Sequence, residues 1–349
     1  MRAGRERETG AIRRLALVKL SSLGDVVHAF PAAHALRARF PDAELTWIVE
    51  RREAAIVAGN PDLDHVIAVD TRLWRREFRR PGGPAAVFAK VRGLVRRLAA
   101  GRFDTALDFQ GNWKSGLITA LTRAPLRIGL AARDCREAGN ALFTNRRVPL
   151  PRRRIHVVEE HFVLLSALGI ARAAAGAAAF PITIDPATDA IVGRFLEEEG
   201  IKPETPLAAL TPGSGGDRKR WAIAAYRRVA DEVALRFGAR IVLCWGPGEE
   251  PLVRAIAHGM RAAPLIPPPT SIPELVALLR RMTLAVGGDT GPIHIAAALG
   301  VPTLGLYGPT PAARNGPYGP RTATVQSPTG RMEDIRVETV IAAAESLVR

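Results

Sequence analysis

Short, densely apolar runs alternate with helical stretches along the whole chain. In the first half, Leu15–Leu20, Leu45–Val49, Val66–Asp70 and Thr105–Phe109 read as strands. The stretch from Asp25 to about Arg39, and then Ala85–Ala100, Trp113–Leu121 and Ile155–Leu168, read as helices. Ala171–Pro181 is rich in alanine and glycine and ends in proline, so it reads as a linker. The second half repeats the alternation. Strands are predicted at Leu207–Leu210, Arg240–Trp245, Leu284–Val286 and Thr303–Tyr307. Helices are predicted at Ile223–Phe237, Leu275–Arg281, Ile293–Leu299 and Val337–Val348. Two successive βα runs predict an α/β fold of two doubly wound domains with a cleft between them.

Composition agrees with two domains and narrows the class. The chain has 349 residues, 47% of them hydrophobic, enough to build sizeable cores. Two cysteines exclude a disulfide framework and a cysteine-based zinc module. No stretch approaches the ~18 uncharged apolar residues of a membrane span. The basic segment Met1–Arg14 before an apolar run resembles a signal peptide, but Lys19 and Asp25 interrupt it. A ragged tail leading into a first strand, and a cytoplasmic protein, are the expectation.

The net charge is +15, from 49 basic and 34 acidic residues, and it is unevenly spread. Residues 1–154 hold 30 basic and 15 acidic side chains, whereas residues 155–349 hold 19 of each. The first half therefore calls for an anionic partner: a phosphorylated or carboxylated substrate, a membrane surface or nucleic acid. Nucleic acid would want aromatic side chains interleaved with the charge, and aromatic content is 5%.

Ligands of such sheets bind beyond the C-terminal ends of the strands, and four loops lie there. In Lys19–Asp25, Gly24 permits a tight turn. Asp25 in that loop either caps a helix or serves as a catalytic base. The loop matches neither a Walker sequence nor GxGxxG. Thr211–Gly216, with Ser214, is followed by Asp217–Trp221, which carries Lys219. It suits a phosphate, or is a solvated charge run. Gly246–Glu250 offers two carboxylates, suited to a ribose or simply complementing a helix dipole. Gly287–His294 offers glycines, Asp289, Thr290, Gly291 and a helix start. His294 either reaches a phosphate or is a core histidine. Together these loops suggest a nucleoside diphosphate ligand.

At these residues the chain resembles glycosyltransferase family 9, the bacterial ADP-heptose:lipopolysaccharide heptosyltransferases. The matching stretches are Lys19–Pro31, Trp47–Glu50, Asp108–Gly111 with Lys114 and Ser115, Lys219–Trp221, Trp245–Gly246 with Glu250, Gly288–His294 and Tyr307–Thr310. The resemblance implies a GT-B fold. Its acceptor domain would span residues 11–180 and its donor domain residues 181–335. The terminal helix, residues 336–349, would return to the first domain. It implies an inverting transfer of heptose to the Kdo of the lipid A inner core, with no metal and no cofactor. Asp25 would be the general base. Ser214, Lys219, Glu250, Asp289, Thr290, Gly291 and His294 would bind the nucleotide-sugar donor, with Lys219 stabilising the leaving diphosphate. Ser22, Gly24, Arg72, Arg75, Arg76, Lys114 and Arg136 would bind the anionic acceptor. The basic face would rest on the inner leaflet of the bacterial inner membrane. The residue after Asp289-Thr290-Gly291 is Pro292 where the family often has leucine, and Gly215-Gly216 replaces hydroxyls or an arginine. Another nucleotide sugar or a later core acceptor remains an alternative.

Overall fold

The computed structural model describes residues 12–151, 155–171 and 178–349. Its contacts divide the chain into two compact units. The first comprises residues 12–21, 32–151 and 160–171, and the second residues 22–31, 155–159 and 178–349.

The first unit is built on a six-stranded sheet in the order β3-β2-β1-β4-β5-β6, parallel throughout. The strands are β1 (Arg14–Val18), β2 (Glu44–Glu50), β3 (His65–Val69), β4 (Thr105–Asp108), β5 (Leu126–Leu130) and β6 (Arg146–Val148). Interleaved with them are α1 (Leu23–Val27), which packs with the second unit, α2 (Phe30–Arg39), α3 (Ala54–Val57), α4 (Thr71–Glu77), α5 (Gly83–Ala100), α6 (Trp113–Leu121) and α7 (Val157–Leu165). Leu15–Val18 are fully buried, as a central parallel strand covered on both faces should be. Ala16, Val18 and Ile48 meet Leu94 and Leu98 of α5 and Ile118 of α6 in one core. The start of β1 is held by Asp104, whose Oδ2 accepts from the Arg13 and Arg14 amides at 2.7 and 2.9 Å.

The second unit carries a five-stranded parallel sheet, β11-β10-β9-β7-β8. Its strands are β7 (Leu207–Thr211), β8 (Arg240–Leu243), β9 (Leu284–Gly288), β10 (Thr303–Tyr307) and β11 (Thr322–Gln326). Its helices are α8 (Pro186–Glu198), α9 (Ile223–Phe237), α10 (Glu250–Ala257), α11 (Ile272–Arg280), α12 (Gly291–Ala298), α13 (Ala312–Asn315) and α14 (Val337–Val348). The two sheets, each parallel and doubly wound, form the two α/β domains of a GT-B fold.

The two sheets lie on either side of residue 180, and two segments before it belong to the second unit. Residues 22–31 join the second unit because α1 packs on α12, and residues 155–159 join it because His156 Nε2 bonds the Gly316 carbonyl at 2.9 Å. The terminal helix has a buried face within the second unit. Val337, Val340, Ile341 and Ala344 lie in the second unit's core, against α9 and strands β9 to β11. The long helix at Ile155–Leu168 starts later and breaks at Leu165 into a 3-10 turn, Ser166–Leu168. The tail up to residue 11, and residues 172–177 of the linker, lie outside the described residues.

Candidate functional site

In the second unit the loops follow three adjacent strands, β9, β7 and β8, at their C-terminal ends. Lys219, from the turn Asp217–Lys219 after β7, places Nζ 2.8 Å from Oδ2 of Asp289 after β9. Nε2 of His294, one turn into α12, faces the other oxygen, Oδ1, at 3.4 Å. A carboxylate only accepts, so Nε2 carries the proton. Burial pushes the Asp289 carboxyl up, but the hydrogen bonds from His294 and Lys219 outweigh it and hold the pKa at about 2. His294 is itself buried, and its Nδ1 has no hydrogen-bond partner. His294 is thus a buried histidine bonded to a loop carboxylate.

The glycine before Asp25 belongs to the same cluster. A Cβ on Gly24 would overlap Cδ2 of His294 and lie 3.1 Å from its Cγ. A Cβ on Gly291 would come within 2.7 Å of Leu23. Two glycines therefore let α1 and α12 pack closely. Asp25, half-buried at the third position of α1, accepts from the Ser22 amide at 3.0 Å and the Ser22 hydroxyl at 2.9 Å, both through Oδ2. The capping reading of Asp25 is thus satisfied geometrically. It does not displace the base reading, since the same two bonds orient the carboxylate.

The two glutamates after β8 diverge. Glu250 turns outward, its Oε1 accepting from Arg254 at 2.7 Å on a largely exposed surface. Glu249 turns inward. Its Oε2 accepts from the Gly246 amide at 2.8 Å, and a Cβ on Gly213 would overlap both its oxygens. Its charge also reaches the buried phenol of Tyr226, which burial pushes up and which bonds the Gly288 backbone. Glu249, not Glu250, is the carboxylate set against the loops of β7 and β8. The resemblance names Glu250, whereas the inward-turned carboxylate is that of its neighbour. Nearby, the Ser214 hydroxyl donates to the Gly216 carbonyl at 2.8 Å, and Thr290 caps α12 by backbone geometry, its hydroxyl 3.3 Å from the Gly288 carbonyl. Pro292 occupies the first turn of α12, where a missing N–H costs nothing.

In the first unit, Lys114 is not a lone cation. Its Nζ lies 2.6 Å from Oε1 of Glu50, which is 2% exposed, and 3.1 Å from the Thr71 hydroxyl. That hydroxyl also donates to Glu50, and the Thr71 amide donates to its other oxygen at 3.1 Å. Glu50 thus joins the end of β2 to the starts of α4 and α6. Arg72, Arg75 and Arg76 lie exposed on α4, and the Arg72 charge acts on the buried Glu53. Arg136 is exposed, with its amide near Gly111. Sequence reasoning passed over the brace beneath these loops. Asp108, fully buried, accepts from the amides of Gln110 and Gly111, from Ser115 and from Asn140, while burial pushes its carboxyl up. Gln110 in turn accepts from the Leu20 and Ser21 amides at 3.1 and 3.2 Å. Among the described residues, no three His, Cys, Asp or Glu side chains gather as a metal-ligand set.

Comparison with known proteins gives the family. Residues 91–343 match the family model of glycosyltransferase family 9 (heptosyltransferase). Lipopolysaccharide heptosyltransferase 1 of Salmonella typhimurium is 28% identical, over 94% of this chain and 98% of that protein. The structure of E. coli heptosyltransferase WaaC with ADP is 27% identical, with a TM-score of 0.80 over 96% of this chain and 99% of that one. The structure of the same enzyme with ADP-2-deoxy-2-fluoro heptose gives a TM-score of 0.76 at 27% identity, covering 95% and 99%. With two parallel α/β domains and a family match over most of its length, the chain belongs to glycosyltransferase family 9, the heptosyltransferases, and is a glycosyltransferase.

Proposed function

We propose that the protein transfers heptose from ADP-heptose to the Kdo of the lipopolysaccharide inner core, with inversion and without a metal. The observation that carries this reading is the Lys219–Asp289–His294 cluster against Gly24, which ties the donor loop after β9 to the helix that bears Asp25. Inversion needs one base on the face opposite the leaving group. Asp25 takes the proton of the attacking acceptor hydroxyl as that oxygen bonds the anomeric carbon and the bond to the diphosphate breaks. Lys219 exchanges its partner Asp289 for the diphosphate and offsets the charge that develops there. The amides of Thr290 and Gly291 at the start of α12 add to this stabilisation. Glu249 accepts from the nucleoside ribose. Lys114 and the arginines 72, 75, 76 and 136 engage the carboxylates and phosphates of the acceptor. The protein works in the cytoplasm, at the inner face of the inner membrane, where such an acceptor is presented.

The test is transfer from ADP-heptose to de-acylated Kdo2-lipid A, read by mass spectrometry, with Asp25→Asn alongside. One added heptose, lost in the variant while ADP still binds, is expected. Equal transfer by the variant would remove Asp25 as base. No transfer by the parent protein, with ADP bound, would point to another sugar or a later acceptor.

A further inference from the structure

Eight large hydrophobic side chains stand exposed among the described residues, and five of them are in the basic first unit. Three of those five lie on two elements that pack against each other. Trp113 and Leu117 are one turn apart on α6, at a spacing that places side chains on the same helix face. Leu142 belongs to the 3-10 turn Ala138–Phe143, against which α6 packs. The Trp113 ring meets Phe143 edge-on at 5.8 Å and covers Gly139, where any Cβ would overlap the indole. The tryptophan is therefore held in place while remaining 51% exposed, beside Leu117 at 50% and Leu142 at 73%.

The surroundings are cationic. Residues 123–147 contain six arginines and two acids, Asp134 and Glu137. Both acids are engaged locally, Asp134 by the Leu150 amide and Glu137 by the Trp113 amide. Arg133, Arg136, Arg146 and Arg147 are exposed. The start of α6 also sits at the C-terminal edge of the first sheet, beside Lys114 and Glu50.

We infer that Trp113, Leu117 and Leu142 form an interfacial anchor that seats the first unit on an anionic lipid bilayer, with the flanking arginines on the headgroups. An indole rests well at the boundary between headgroups and acyl chains, and each nearby arginine adds electrostatic attraction to anionic lipid. A nucleic acid would satisfy the charge but offers no apolar layer to two exposed leucines. The inference deepens the proposed reaction, on which it rests for the lipid-linked acceptor. It puts the anchor on the edge of the sheet where that acceptor's charged sugar must arrive.

The test uses the full chain and the double variant Leu117→Glu/Leu142→Glu, since exposed leucines can change without disturbing the fold. Sedimentation with vesicles of phosphatidylglycerol and phosphatidylcholine should show partitioning reduced by about tenfold or more in the variant. Circular dichroism and transfer to a water-soluble, de-acylated acceptor should be unchanged, and the KM for vesicle-embedded acceptor should rise. Equal sedimentation of the two proteins would overturn the anchor. So would a parent protein that ignores vesicles but loses a dimer, or loses DNA binding, on these substitutions. Absence of transfer to the soluble acceptor, with vesicle binding as expected, would refute the reaction and leave the anchor standing.

Discussion

The Cα of Gly24 lies so close to the His294 ring that a single added methyl group would overlap it. The residue beside the candidate base thus touches the residue that bonds Asp289, and Asp289 bonds Lys219. Gly24→Ala should therefore damage both the packing of α1 on α12 and the Asp289 contact. Overpacking of this kind costs about 1–3 kcal/mol. Denaturant unfolding should show that loss, and calorimetric titration should show weaker ADP binding. A variant with parental stability and ADP affinity would show that α1 moves aside at no cost.

The Lys219–Asp289 pair gives a dependence on acidity with a defined sign. The folded pKa of Asp289 is held at about 2, below its usual 3.8. A carboxyl depressed by folding stabilises the folded state above its unfolded pKa, and this contribution is lost as pH falls through the folded value. The window is therefore from pH 3.8 down to about 2, and the contribution is about 2 kcal/mol. Asp289→Asn should flatten the stability curve across that window and leave its shape above pH 5 unchanged. An identical acid limb in the variant would assign the titration to other groups.

Sequence and structure agree best where a pattern is local. Trp113–Leu121, Ile223–Phe237, Thr303–Tyr307 and Val337–Val348 form their elements as read, because periodicity and flanking turn residues both mark them. The strands at Leu126–Leu130, Arg146–Val148 and Thr322–Gln326 were missed. Each is short, and arginine or threonine breaks the apolar run, so only pairing with a neighbouring strand defines it. Helix α8, starting at Pro186 after the Asp185 cap, is not among the elements that the pattern predicts. In the site, the resemblance pointed to Asp289 and Lys219, and the fold joins them. What one dimension does not carry is direction: which of two adjacent glutamates turns inward, and that Lys114 faces Glu50 across 64 positions.

The divergence of Glu249 and Glu250 separates the two in solution. Glu249 is held against Gly213 and Gly246, whereas Glu250 pairs with Arg254 at the surface, a contact worth only a few tenths of a kcal/mol. Glu249→Gln should weaken ADP binding by about tenfold, the loss expected for one charge-assisted hydrogen bond. Glu250→Gln should leave it within about a factor of two, as a surface pair implies. The reverse ranking in titrations of the two variants would return the ribose role to Glu250.

Glu50 and Lys114 pose the last question, whether this cation of the first unit is held by its partner or merely neighbours it. Glu50 is buried and its carboxylate is bonded from α4 and α6, whereas Lys114 is 35% exposed. Removing one member of a buried pair leaves the other short of its partner, at about 3–5 kcal/mol, and water at the Lys114 end brings this toward the lower limit. Glu50→Gln should thus lose about 2–3 kcal/mol of stability and raise the acceptor KM more than it lowers kcat. Lys114→Met should cost a similar amount. The double variant should lose less than the sum of the two, because it leaves no charge uncompensated. Strictly additive losses in the four-protein cycle would show that Glu50 braces α4 through Thr71 alone, and that Lys114 answers only to the acceptor.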